Sequence, residues 1–96
     1  MYYTVCYDIG DAKTRRLAVK LCKKAGLVRM QRSVFTGRAP AALIRQIEAE
    51  LMPLLKDRND SVAVQPMDRA AFKKMRFIGK RLHKKNLAGS RLIVFV

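Results

Sequence analysis

An α+β sandwich, with amphipathic helices covering one face of a single sheet, is the fold class this sequence predicts. Three observations predict it. β-forming runs alternate with helical stripes in the order β-α-β-α-β. The loops between them are a few residues long. The 96 residues, 50% of them hydrophobic, suffice for one domain with one core. Strands alternating with helices in so short a chain give a ferredoxin-like βαββαβ sandwich, here with an extra C-terminal strand.

Tyr2 to Asp8 reads as the first strand, because Tyr, Thr, Val and Cys fill it without Gly or Pro. Ile9-Gly10-Asp11 is a turn, and Asp11 suits a helix N-cap. Thr14, Leu17, Ala18, Leu21, Cys22 and Ala25 then fall at i, i+3, i+4, i+7, i+8 and i+11, one helical stripe, which Gly26 ends as the C′ residue. Leu27 to Thr36 returns to strand character: Val28, Met30, Arg32 and Val34 share one parity, and Gly37 closes the run. A hairpin partner is expected around Phe35–Arg38, with Gly37 in a bulge or turn. Pro40 fits the first turn of a second helix, whose buried stripe is Leu43, Ile44, Ile47, Leu51 and Leu54 and whose regular part Pro53 limits. Ser61 to Gln65 is a third strand, stopped by Pro66.

Residues 1–67 therefore form the ferredoxin-like core, and residues 68–96 a basic C-terminal extension of the same domain. The extension holds nine Lys and Arg against the single Asp68. Asp68 can cap a short helix with Ala71, Met75, Ile78 and Leu82 along one face, but Met75-Arg76-Phe77 also alternates like a strand, and both readings stand. Leu92 to Val96 is a continuous apolar strand. It must add to a sheet, its own or a neighbour's, because an unpaired apolar edge aggregates.

The charge narrows the function. Twenty-one Lys and Arg face seven Asp and Glu, a net +14. Positive charge this dense fits a polyanionic partner, since phosphate neutralisation and counterion release drive nucleic-acid binding. Lys13, Arg16, Lys20, Lys24, Arg32, Arg38, Lys73, Arg76 and Lys80 are the candidate contacts to a nucleic-acid backbone. Two cysteines are too few for a disulfide-stapled module, and no apolar run reaches a membrane span. A cytoplasmic domain without a membrane partner is expected.

Catalytic signals are sparse. His83, the single histidine, stands in a run of Lys and Arg, Cys6 and Cys22 fall within apolar patterns as core thiols, and no glycine-rich phosphate loop is present. The scarce carboxylates are more informative. Asp8 stands where the first strand stops, and a carboxylate among cations is what Mg²⁺ at a phosphodiester requires. One carboxylate makes a poor metal site, which two copies across a two-fold axis would double. On spacing alone, Asp8 and Asp11 equally read as residues that shape the turn and cap the helix.

The strand end Val5-Cys6-Tyr7-Asp8-Ile9, the Arg15-Arg16-Leu17 of the following helix and the run Val28 to Gly37, with its Gln31-Arg32-Ser33-Val34-Phe35, resemble the CRISPR-associated protein 2 family. So does Asp60-Ser61-Val62, opening the strand that runs to Pro66. The resemblance spans residues 1–67 and is looser beyond. It implies a symmetric homodimer in which the C-terminal strand pairs onto the other protomer's sheet. It also implies a part in spacer acquisition, bridging the integrase CRISPR-associated protein 1 and holding duplex DNA. Some members are metal-dependent nucleases on RNA or DNA. In those the aspartate matching Asp8 binds Mg²⁺ across the dimer interface, and Tyr7, Arg16, Arg32, Ser33 and Phe35 occupy matching motif positions as catalytic candidates. The adaptor role is the primary reading, because fourteen excess positive charges far exceed the need of one hydrolytic site. Single-stranded RNA is a further candidate partner beside duplex DNA, and the alternative function is a non-enzymatic RNA-binding module of ribosomal or RNA-recognition type, stacking bases on Tyr3 and Phe35.

Overall fold

A computed structural model describes residues 1–56, 59–78 and 93–95, the last three through their backbone. The elements are β1 (Tyr2–Asp8), α1 (Ala12–Lys24), β2 (Val28–Gln31), β3 (Val34–Arg38), α2 (Ala41–Leu51) with a 3₁₀ turn at Met52–Leu54, β4 (Ser61–Met67), α3 (Arg69–Lys74), β5 (Arg76–Ile78) and β6 (Ile93–Phe95). The main sheet has the order β2-β3-β1-β4, and every neighbouring pair is antiparallel. This is the ferredoxin-like connectivity expected.

Local chemistry fixes both ends of α1. The Asp11 carboxylate accepts from Thr14 N and Thr14 Oγ1, each at 2.8 Å. At the other end Gly26 takes φ +92°, its N–H bonds to the Lys23 carbonyl, and Leu27 N bonds to the Cys22 carbonyl. That pair of bonds is a Schellman closure, which requires the left-handed residue that glycine supplies. Between these caps Thr14, Ala18, Leu21 and Cys22 are buried. Ala18, Leu21 and Cys22 join Ile44, Ile47 and Leu51 of α2 in one cluster with Tyr3, Val5, Tyr7 and Phe35 of the sheet. The α2 helix gives way to 3₁₀ geometry where Pro53 enters, as a residue without an N–H requires.

The hairpin partner falls where expected, β3 at Val34–Arg38 paired with β2, but the turn and the place of Gly37 differ. The strand read as Leu27–Thr36 is two strands, folded at Arg32–Ser33. Pairing passes from Arg29↔Phe35 to Gln31↔Val34, so Met30 is the extra residue of a bulge. Val28, Met30 and Val34 all pack into the same cluster on the sheet's second face. Their parity runs unbroken through the turn, and that is what hid it. Gly37 does not close the strand but sits inside β3 opposite Tyr3 at φ +142°, beside the Leu27 backbone. Pro66 does not stop β4, which continues to Met67. β4 is an edge strand, where a residue without an N–H is tolerated.

The second sheet face carries the extension. Asp68 caps α3 through Ala71 N at 2.7 Å. The helix is short, and Arg76–Ile78 is strand rather than its continuation. Phe72, fully buried, stacks on Tyr2 with ring centroids 4.4 Å apart, and Met30, Met67, Met75 and Phe77 complete the cluster. The terminal strand finds a partner within its own chain: β6 pairs in parallel with β5, Phe77 opposite Val94. Among the described residues no helix is long and apolar enough to cross a membrane.

Phe72→Ala should lower unfolding free energy by about 3 kcal/mol, the usual loss for a truncated buried aromatic, as read by urea denaturation. A loss below about 1 kcal/mol would mean that α3 is not part of the cooperative fold.

Candidate nucleic-acid interface

Side-chain alternation at the end of β1 divides the candidate residues between two faces of the sheet. Tyr7 belongs to the helix-side cluster. Asp8, its neighbour in a pleated strand, therefore projects from the opposite face, where it is exposed and pairs in register with Ser61. The Asp8 carboxylate makes no hydrogen bond or ion pair with the described residues.

The turn that follows Asp8 is held by two side chains, Arg15 and Asp60. Arg15 Nη1 donates to the carbonyls of Ile9 at 3.1 Å and Gly10 at 2.7 Å. The Asp60 carboxylate accepts from Gly10 N at 3.0 Å and Lys56 N at 2.8 Å, tying this turn to the loop before β4. Those backbone donors hold the Asp60 carboxyl below the usual carboxylate range, and the Thr14 N–H and hydroxyl do the same for Asp11.

On the helix side of β1, a cleft of about 510 Å³ opens between α1 and the β2–β3 hairpin, lined by Tyr7, Arg15, Arg16, Arg29, Arg32 and Ser33 together with Ala12 and Val19. Four of the predicted site residues (Tyr7, Arg16, Arg32 and Ser33) thus come together, without Asp8. Arg15 and Arg29 were missed, although Arg15 stands in the motif beside Arg16. Arg29 places its guanidinium 5.7 Å from the Phe35 ring centroid. It also donates to the Arg32 carbonyl through Nε at 3.1 Å and Nη2 at 2.7 Å. Tyr7 Oη donates to that same carbonyl at 3.1 Å. Burial pushes the Tyr7 phenol up, and Arg29 pulls it partly back. The side chains of Arg16 and Arg32 are exposed and bond to none of the described residues.

Phe35 is fully buried, stacked on Tyr7 at 6.4 Å, so it backs the cleft and touches no ligand. Tyr3 is 8% exposed in the same core. The base-stacking platform proposed for these two rings does not exist, because both point into the helix layer.

The basic candidates are surface residues. Lys13, Arg16, Lys20 and Lys24 are all exposed on α1, and their spacing puts them on one side of it, a stripe about 16 Å long at 1.5 Å rise per residue. Arg38, Lys73 and Arg76 are exposed as well, with Arg38 lying 6.0 Å from the Tyr2 ring centroid. Lys80 and His83 lie outside the described residues. Cys22 is buried and its thiol is pushed up to about 12 by desolvation, and burial raises Cys6 too. Neither thiol is an activated nucleophile.

Asp60 should leave a signature in acid. Its folded carboxyl is depressed, so the stability it contributes is present above the unfolded value and is lost as pH falls through the folded one. Asp60→Asn should therefore be less stable than the parent at pH 6, and the gap should close below about pH 4. Urea midpoints between pH 2 and pH 6 check this; a constant gap would deny Asp60 the role.

The sequence model of the family described as CRISPR associated protein Cas2 matches residues 1–75. The CRISPR-associated endoribonuclease Cas2 2 of Pyrobaculum aerophilum is 37% identical over 71 residues, 74% of this chain and 78% of that one. A CRISPR-associated endonuclease Cas1/endonuclease Cas2 fusion from Thermoproteus tenax is 32% identical over 69 residues, covering 72% of this chain and 26% of the fusion. Among solved structures, Streptococcus pyogenes Cas2 superposes with a TM-score of 0.67 at 25% identity, over 82% of this chain and 100% of that one.

Proposed function

The chain belongs to the CRISPR associated protein Cas2 family, and from that premise we propose that it is a dimeric nucleic-acid-binding component of CRISPR adaptation. In this role it bridges the integrase Cas1 and holds duplex DNA during spacer acquisition. The observation that carries the reading is the solvent side of α1. Lys13, Arg16, Lys20 and Lys24 form one uninterrupted cationic stripe there, suited to successive phosphates and blind to base sequence. A relative in which Cas1 and Cas2 are one polypeptide supports Cas1 as the protein partner.

Binding to a labelled duplex should fall steeply with salt, log affinity dropping by about 0.9 per log unit of salt for each phosphate neutralised. The triple variant Lys13→Gln, Lys20→Gln, Lys24→Gln should flatten that slope by about 2.7, three phosphates' worth. A slope unchanged by the three substitutions would remove α1 from the interface.

Asp8 favours a second activity, Mg²⁺-dependent cleavage of RNA or DNA. An exposed oxygen ligand with no partner among the described residues fits a hard cation in kind. It falls short in number, since no group of three or more His, Cys, Asp or Glu converges among the described residues. The Asp8 of a second copy across a two-fold axis would supply the missing carboxylate. Bound Mg²⁺ would acidify a water and shield the scissile phosphate. Within one chain Arg16 and Arg32 lie on the other side of β1, so phosphate contacts on Asp8's face fall to other groups. Asp8→Asn should abolish metal-dependent cleavage and leave the dimer intact by light scattering. A variant that cuts like the parent would exclude this activity at Asp8.

A further inference from the structure

We infer that the arginine cleft between α1 and the β2–β3 hairpin is a receptor for a phosphomonoester, the dianion found at the end of a nucleic-acid strand or on a free mononucleotide. For the strand-end source this rests on the nucleic-acid reading above; for the free nucleotide it does not.

The charge balance of the cleft comes first. Its lining holds Arg15, Arg16, Arg29 and Arg32 and no carboxylate. Arg15 and Arg29 donate to main-chain carbonyls, which orient the guanidiniums without neutralising them; Asp11, outside the lining, feels the Arg15 charge but takes its hydrogen bonds from Thr14. Four like charges around one recess repel, and a bound anion relieves that repulsion. A phosphomonoester carries about −1.5 to −2 near neutral pH, its second pKa lying near 6. An internal phosphodiester carries a single charge, the weaker match for four guanidiniums.

Shape agrees with charge. The α1 stripe is convex and suits a duplex backbone running over it. The cleft is concave, about 510 Å³, within the roughly 300–1,000 Å³ of small-ligand sites. An internal phosphate, tethered on both sides, enters such a recess only by kinking its strand, whereas a terminal phosphate enters freely. The two pairs of arginines also differ in preparation. Arg15 and Arg29 are fixed before any ligand arrives, whereas the guanidiniums of Arg16 and Arg32, with no partner among the described residues, can close on it with forked, charge-assisted bonds. The Tyr7 phenol donates its hydrogen bond to the Arg32 carbonyl, so Tyr7 is a wall and a brace. The Ser33 hydroxyl is a further donor at the rim.

The experiment compares duplexes with short single-stranded overhangs, identical except that the overhang ends in a phosphate or in a hydroxyl, by fluorescence anisotropy. Thermal shift with inorganic phosphate and with AMP runs beside it. The terminal phosphate should tighten binding about tenfold at pH 7.5, and the preference should shrink at pH 5, where the monoester loses its second charge. Arg32→Gln and Arg16→Gln should erase the ratio between the two duplexes. Lys20→Gln with Lys24→Gln should weaken both duplexes alike and keep the ratio. A thermal shift with AMP that Arg32→Gln abolishes, together with no DNA binding at all, would support the cleft as a free-nucleotide receptor and overturn the nucleic-acid reading. DNA bound with no preference for the terminal phosphate, and no shift with AMP or phosphate, would overturn the proposal and leave that reading in place.

Discussion

The pleat of β1 is the constraint on which the rest of the molecule depends. This strand pairs with β3 on one side and β4 on the other, and it is covered on both faces, by α1 and α2 on one and in part by α3 on the other. Tyr3, Val5 and Tyr7 feed the helix-side core, while Tyr2 meets Phe72 behind the sheet. A slip of one residue would exchange these two sets and place Asp8 in the helix layer, so burial fixes the register. The same alternation that builds two cores sets Tyr7 and Asp8 back to back. The anion-binding cleft and the lone carboxylate are thus separate features, each aimed at a different side of the sheet.

A single carbonyl organises the cleft. Arg32 O receives the Tyr7 hydroxyl and two N–H groups of Arg29, more donors than its two lone pairs comfortably serve. It can be so crowded because Arg32 lies in the hairpin turn, where its carbonyl is released from any strand ladder. Ser33 O, next along, accepts from Tyr7 N at 3.1 Å and keeps the turn in step with β1. Main-chain geometry thereby determines where the Arg29 guanidinium points, as the Ile9 and Gly10 carbonyls do for Arg15, and Phe35 is buried behind Tyr7 and Arg29. Cations held by dipoles remain cations, which is what distinguishes this recess from a basic surface whose charges are quenched by neighbouring carboxylates.

How much of this the sequence disclosed varies with the physical origin of each feature. The ends of α1 were legible because capping is local chemistry: Asp11, Thr14 and Gly26 carry the instructions within a turn of where they act. The turn of the hairpin was not, because Arg32-Ser33 lacks the Gly, Asn or Pro that usually marks a tight turn, and a one-residue bulge preserved the parity of the apolar residues across it. Pro66 was misread because its cost depends on which side of a strand is paired, and edge position is a tertiary fact. Asp8, Tyr7, Arg16, Arg32 and Ser33 could be singled out by their resemblance to a family motif. Arg15 and Arg29 could not be distinguished by composition from the other cations, since only the packing of α1 against the hairpin selects them.

The carboxylates show what that basic composition has kept. Asp11 caps α1, Asp68 caps α3, Asp60 joins two loops, and Glu50 accepts from Gln46 at 2.6 Å. Among the described residues, Asp8 and Glu48 are the acids with no such bond. Glu48 sits on the exposed side of α2, where glutamate is a good helix former and needs no further account. Asp8 stands inside a strand, a setting that disfavours aspartate. It also faces solvent at the sheet's end, where serine or threonine would serve the fold as well. Among the described residues neither secondary structure nor packing accounts for that carboxylate, and this is the ground on which a hard cation is proposed to meet it.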